Sequence, residues 1–283
     1  MNTSGIFEKF VIVSAHPDDE VLWFSSILDK VDEIIVCFLG VKSEPNARVN
    51  RQRSLLDYPL KNISCLGLDE SETFYGVDWQ NPVRTPHGIE ISNKKYPDKA
   101  YKENYGKLKE QLKEKLSGYY NVFTHNPWGE YGSDEHIQIY RVVKDLQKKM
   151  NFNLWFSNYV SNKSFKLMLD YFNKHNFQHV TLQTNKKLAY TIKDLYKKND
   201  CWTWYDDWEW LDEESFMKDM TLEGKTKQHS RILPMNLIKV WLPIKSKKKF
   251  KFFNSSVSKI VTKQSKKVLH ALFKDKKSIL RET

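Results

Sequence analysis

The sequence predicts an α/β protein built on a doubly wound, mostly parallel sheet, and three observations carry that expectation. Residues 10–15 are a short apolar run of β-branched character that stops at His16, Pro17, Asp18, Asp19 and Glu20, and Val21, Phe24, Ser25 and Leu28 follow at helical spacing. Residues 33–39 are a second apolar run ending at Gly40, so strand, helix and strand make a βαβ unit with a right-handed crossover. The same strand, loop, helix order returns at residues 121–146. A chain alternating in this way covers both faces of a parallel sheet, in a Rossmann-like arrangement.

The remaining elements follow in order. Residues 49–60 read as a basic, partly helical segment stopped near Pro59, and residues 63–66 as a third strand followed by the Gly67 turn. Between residues 73 and 101 Gly, Pro, Asn and aromatic residues succeed one another without a steady period, which marks a long surface insertion placed to serve as a lid. Residues 105–116 are a charged helix punctuated by Gly118, and residues 121–124 a short strand. A Gly-interrupted loop then opens into a helix marked by Ile137, Tyr140, Val143 and Leu146. Residues 154–160 are a further strand, and residues 186–198 a helix with Leu188, Ile192, Leu195 and Tyr196 on one side. In residues 201–216, Trp202, Trp204, Trp208 and Trp210 alternate with acids and Tyr205; such rings stack on sugar faces or cover a core. The expected organisation is a catalytic α/β domain at 1–200, a Trp-rich extension packed on it at 201–244, and a basic amphipathic tail at 245–283.

The polar residues of the first turn point to a metal. His16 and Asp19, three apart in a βα turn, can aim one imidazole nitrogen and one carboxylate oxygen at a single point, as zinc requires of ligands at about 2.0–2.2 Å. A helix start alone explains Pro17 and one acid. It leaves His16 and the crowding of the other acids unexplained, because adjacent carboxylates repel unless a cation neutralises them. His136 opens the second helix after a loop of the same grammar, and two such turns on neighbouring strands complete a three-ligand site with one position open, the form of catalytic zinc. Asp18 is then left beside the metal, placed to act as the base.

These residues also carry a family likeness. The run His16, Pro17, Asp18, Asp19, Glu20 after a strand resembles the opening motif of the PIG-L/LmbE-like family of zinc-dependent N-acetylglucosamine deacetylases, and Tyr131, Gly132, three residues, then His136 resembles the second. The likeness spans about residues 8–200. It implies release of acetate from an N-acetylated sugar, with Tyr131 donating a hydrogen bond to the tetrahedral oxyanion. The chain departs from the family at one position: the first histidine of the usual His-x-x-His is Ser133 here. In the family that histidine assists proton transfer, so the departure bears on the general acid, for which His125 is the nearest other imidazole. Ser133 followed by Asp134 and Glu135 also makes a good helix N-cap. Arg48 and Arg51, placed to reach an anionic group, and Trp128 are the candidate substrate contacts. The alternative function is a sugar-binding homologue that keeps the metal with weak or no turnover. Whether the sugar is nucleotide-linked, lipid-linked or part of a small conjugate stays open.

Charge and composition bound the setting. The chain of 283 residues carries a net charge of +11, yet residues 245–283 hold 13 Lys and Arg against two acids, and the rest has 33 of each sign. A neutral body without a positive groove excludes nucleic acid as the expected partner. In the tail, apolar residues from Val257 to Phe273 recur at helical spacing among lysines, which predicts a basic amphipathic helix held at an anionic membrane surface and favours a lipid-linked substrate. No run approaches a membrane span and no signal peptide is evident, so the expected location is the cytoplasm, peripheral at the inner face of the membrane. Cys37, Cys65 and Cys201 are too scattered for a disulfide framework or a zinc knuckle.

Overall fold

The structure, a computed structural model, describes residues 4–173, 175–220 and 233–240. The basic tail at 245–283, and the membrane contact expected of it, lie outside the described residues. In chain order the elements are β1 (Phe10–Ser14), α1 (Asp19–Trp23), β2 (Glu33–Gly40), α2 (Ala47–Leu56), β3 (Ile63–Asp69), β4 (Arg84–Thr85), β5 (Gly88–Ile89), α3 (Lys99–Lys115), β6 (Asn121–Thr124), α4 (Asp134–Gln147), β7 (Asn153–Ser157), β8 (Tyr159–Ser161), α5 (Phe165–Phe172), β9 (Asn176–Gln183), α6 (Lys186–Lys198), β10 (Glu213–Met220) and β11 (Asn236–Ile238).

Seven strands form one sheet in the order β3-β2-β1-β6-β7-β10-β9. The first five run parallel, and β10 is antiparallel to both of its neighbours. The period-2 alternation of β1 divides the core: Val11 and Val13 face one layer with Leu108 and Leu112 of α3 and Ile137 and Val143 of α4. Phe10 and Ile12 face the other, with Val21 and Leu22 of α1 and Ile192 and Tyr196 of α6. Burial of each such side chain contributes roughly 1.5–3 kcal/mol, so the strand expected to deliver the site is also anchored on both faces. The doubly wound α/β class is therefore as the sequence predicts. Strand order reverses at β1, with β2 and β3 on one side and β6 and β7 on the other, which opens a crevice at the carboxyl ends of β1 and β6.

Several elements differ from expectation for local reasons. The helix after β1 stops at Trp23 and does not run on to Leu28: Ser25 Oγ bonds the Val21 carbonyl, and the Ser26 N–H donates to Glu214 at 2.7 Å. Strand β3 runs past Gly67, whose φ of +72° is absorbed by a register shift against β2 and closes no turn. The run at 154–160 is two strands, because β8 leaves the main sheet to pair with β11. The insertion at 73–101 is partly tied down, since Ile89 is buried and Arg84 donates to the carbonyls of Pro127 and Leu167 at 2.7 and 3.1 Å. Residues 213–220, within the Trp-rich segment, are a strand of the main sheet.

Candidate active site

Each wall of the crevice begins with a turn that the backbone holds under constraint. After β1, Asp18 takes φ +103°, a left-handed conformation costing a residue with a Cβ about 1–3 kcal/mol, and its carbonyl accepts the Leu22 N–H at 3.0 Å to start α1. After β6, Gly129 has φ +72°, and a Cβ there would lie 2.3 Å from the Ser133 carbonyl oxygen, so only glycine lets the loop fold back under α4. The Ala15 N–H donates to His125 Nε2 at 2.8 Å and joins the two turns.

Three side chains converge between them. Asp19 Oδ1 accepts from the Trp23 indole at 2.8 Å, which turns Oδ2 toward both imidazoles, 2.9 Å from His16 Nδ1 and 3.1 Å from His136 Nε2. Donor atoms bound tetrahedrally to one zinc lie about 3.3 Å apart, so these separations suit a shared ion. The far nitrogen of each ring meets a carboxylate: His16 Nε2 is 2.8 Å from Glu135 Oε2, and His136 Nδ1 is 2.8 Å from Glu130 Oε2. Such carboxylates fix ring orientation and raise the basicity of the metal-facing nitrogen. His136 Nε2 is buried and makes no hydrogen bond of its own. That orphaned atom, aimed at Asp19, is what a metal ligand presents, and the residues therefore fit a divalent ion. Glu135 is itself held by the Ser71 N–H and hydroxyl at 2.6 and 2.7 Å.

Electrostatics separate the two aspartates. Burial opposes ionisation of Asp19, but His136 and His16 outweigh it and hold the group well below the usual carboxylate range. Burial and the neighbouring Asp19 push Asp18 up to about 7, against the Thr203 N–H and hydroxyl, which donate to its Oδ2 at 2.9 and 2.7 Å. Burial likewise opposes charge on His136, yet Asp19 and Glu130 push it up to about 9, so the two carboxylates favour a cation at this ring. Burial, Asp19 and Asp18 raise Tyr131 well above the ordinary phenol range, which keeps it a hydrogen-bond donor. Its ring lies 5.2 Å from that of His136, between Phe74 of the insertion at 6.0 Å and Trp204 at 4.7 Å.

The other candidates that the sequence suggests fall elsewhere, and two need correction. His125 does not face the crevice: its ring stacks on His136 at 3.7 Å, its Nε2 accepts the Ala15 amide, and its Nδ1 points at Glu130, 3.3 Å away. Burial and His136 lower its pKa, so it is a wholly buried interior group whose Nδ1 faces Glu130 and not a leaving amine. Trp128 is wholly buried, packed on Phe156 at 5.6 Å, with Nε1 donating to the Tyr159 carbonyl at 2.7 Å, and it offers no face to a ligand. Arg48 and Arg51 are engaged by Asp69 and Glu70 at 2.7 and 2.6 Å; Glu70 lies 3.7 Å from His16 Nε2, so Arg51 borders the site. Ser133 caps α4, accepting from the His136 N–H at 3.3 Å.

Sequence reasoning missed Glu130, Glu135 and Thr203. The two glutamates stood inside the second motif, and a metal-bound imidazole's need for a partner on its far nitrogen was a signal for them. Thr203 had none, because it lies 185 positions from Asp18.

No protein-family model matches the chain, and no curated protein matches it. Among solved structures it is similar to a deacetylase of teicoplanin biosynthesis in complex with teicoplanin, at 11% identity and TM-score 0.46 over 74% of this chain and 97% of that one. It is similar also to a zinc-inhibited form of teicoplanin deacetylase, at 10% identity and TM-score 0.45 over 75% and 97%. A third similar structure is the A40926 pseudoaglycone deacetylase, at 9% identity and TM-score 0.46 over 77% and 99%.

Proposed function

We propose that the protein is a zinc-dependent hydrolase that removes the acetyl group from an N-acetylated sugar. The observation that supports this reading is the convergence of His16, Asp19 and His136 on one point, with Asp18 next to Asp19 and held by Thr203. Zinc held there supplies a water of lowered pKa and polarisation of the acetyl carbonyl. Asp18 takes the proton of the attacking water, and Thr203 fixes the carboxylate for that transfer. The same carboxyl, once it holds the proton of the water, returns it to the departing amine, which covers the role that Ser133 leaves vacant. Tyr131 donates to the charge developing on the carbonyl oxygen, a contribution of about 3 kcal/mol in sites of this kind.

The test is metal analysis of the purified chain together with acetate release from free, nucleotide-linked and lipid-linked N-acetyl sugars with zinc present. About one zinc per chain and acetate from at least one sugar are expected. Metal without acetate would favour the second reading, a sugar-binding homologue, which Ser133 and the inward-facing His125 support by leaving no imidazole to act as acid. Ser133→His separates the two: turnover rises if acid delivery limits a working site, and stays absent in a binding protein.

A further inference from the structure

Among the described residues, His125 is the wholly buried imidazole that the proposed reaction does not use. It directly follows β6, and its two nitrogens serve different turns. Nε2 accepts the N–H of Ala15, the residue before His16, at 2.8 Å. A ring nitrogen that accepts an amide proton carries none itself, so the proton of the neutral ring sits on Nδ1. Nδ1 faces Glu130 Oε2 at 3.3 Å, and that same oxygen lies 2.8 Å from His136 Nδ1. The His125 and His136 rings are stacked, with centroids 3.7 Å apart and planes 26° from parallel.

The place of this ring in the sheet gives it a purpose. The ladder between β1 and β6 ends at the pair Val13 and Thr124, as it must for a crevice to open at the strand ends. Past that pair the Ala15 N–H finds a side chain of the neighbouring strand where the next backbone carbonyl would have stood. One rigid ring thus ties the start of the first turn to the carboxylate and the imidazole of the second. Resting on the zinc reading above, we propose that His125 is a positioning residue for the metal: it sets the separation of the two turns at which His16, Asp19 and His136 reach one ion, and through Glu130 it keeps His136 with Nε2 turned toward that ion.

Three variants of the full chain test the two halves of the bridge. His125→Phe keeps a stacking ring and removes both nitrogens, His125→Gln carries an acceptor oxygen near the place of Nε2, and His125→Asn carries a donor nitrogen near the place of Nδ1. Zinc affinity in a chelator competition should fall about 10–100-fold in His125→Phe and by less in the other two. The visible absorption bands of the cobalt(II)-loaded chain, which report ligand geometry, should shift in His125→Phe and move back toward wild type in His125→Gln. Affinity and bands unchanged in all three variants overturn the proposal, and loss of kcat with both unchanged would return His125 to proton transfer. If His125→Phe does not fold, the partial losses in the two amide variants carry the same decision. Nitrogen NMR of the histidine rings keeps this separate from the zinc reading. A wild-type chain that binds no zinc defeats that reading, whereas the bridge still requires the His125 proton on Nδ1, and a proton found on Nε2 removes it.

Discussion

The two turns that face each other across the crevice hold their candidate ligands by different means. The turn after β1 is compact and carries His16, Asp18 and Asp19, to which the proposed function gives two ligands and the base, with the His16 side chain still 12% exposed. The loop after β6 runs from His125 to Ser133 before α4 begins, leads to the candidate ligand His136, and buries it completely behind Glu130. Glu130 Oε2 lies within 2.8 Å of His136 and 3.3 Å of His125, and Oε1 accepts from Asn126 N–H and Ser157 Oγ at 2.9 and 2.5 Å. The first turn thus leaves His16 nearer solvent and the second holds His136 rigidly. Some supports are local, as Trp23 for Asp19 and Glu130 for His136, and others come from across the fold, as Glu135 for His16 and Thr203 for Asp18.

The sharpest break of this comparison lies inside the first turn. Asp19→Ala should lose the metal, whereas Asp18→Asn should keep it and lose turnover by about 10²–10⁴-fold, the usual worth of a positioned acid or base. Metal content and acetate release on the same preparations decide it, and equal zinc loss in both variants would refute the division of roles. Next in size are the supporting carboxylates. Glu130→Gln and Glu135→Gln should each weaken zinc affinity about 10–100-fold in a chelator competition. Glu130→Gln should have the larger effect, because its carboxylate also serves His125, Asn126 and Ser157; the reverse order would place the rigid wall at the first turn. Thr203→Val removes one of two hydrogen bonds on Asp18 and should lower kcat about fivefold, the worth of roughly 1 kcal/mol, with zinc content unchanged. Smallest is Ser133→Ala, which loses the cap of α4 and should cost about 1 kcal/mol in denaturant unfolding without altering zinc affinity.

The contrast between the turns also explains what could be read from the chain. Strands β1, β2 and β6 were legible because both faces of each are buried, which leaves an uninterrupted apolar run. Strand β10 was not: it reads Glu-Glu-Ser-Phe-Met-Lys-Asp-Met, and its buried Glu214 and Asp219 side chains are partnered by Ser26, Tyr159, Tyr140 and Lys144 from elsewhere in the fold. The meeting of His16, Asp19 and His136 was legible because both turns follow strands in the same strand, loop, helix order, which places them at neighbouring strand ends. Trp128 misled, since an indole in a motif loop is written identically whether it lines a cleft or fills a core. His125 misled for a related reason: only the fold shows that its Nε2 is taken by a backbone amide.

The place of β10 bears on the order in which the molecule is completed. It lies between β7 and β9, yet the chain reaches it after both, and among the described residues it is the one partner of β9 in the sheet. During synthesis the parallel strands of the centre emerge first and can assemble around β1. Strand β9 must wait with an open edge until residue 220 has left the ribosome, the circumstance in which strand edges recruit other chains. Thr203 arrives in the same late stretch, so a nascent chain that already holds His16, Asp19 and His136 together would still lack the hydrogen bonds that position Asp18. Under the proposed function, metal capture would precede competence for turnover by the time needed to translate the closing stretch of the sheet.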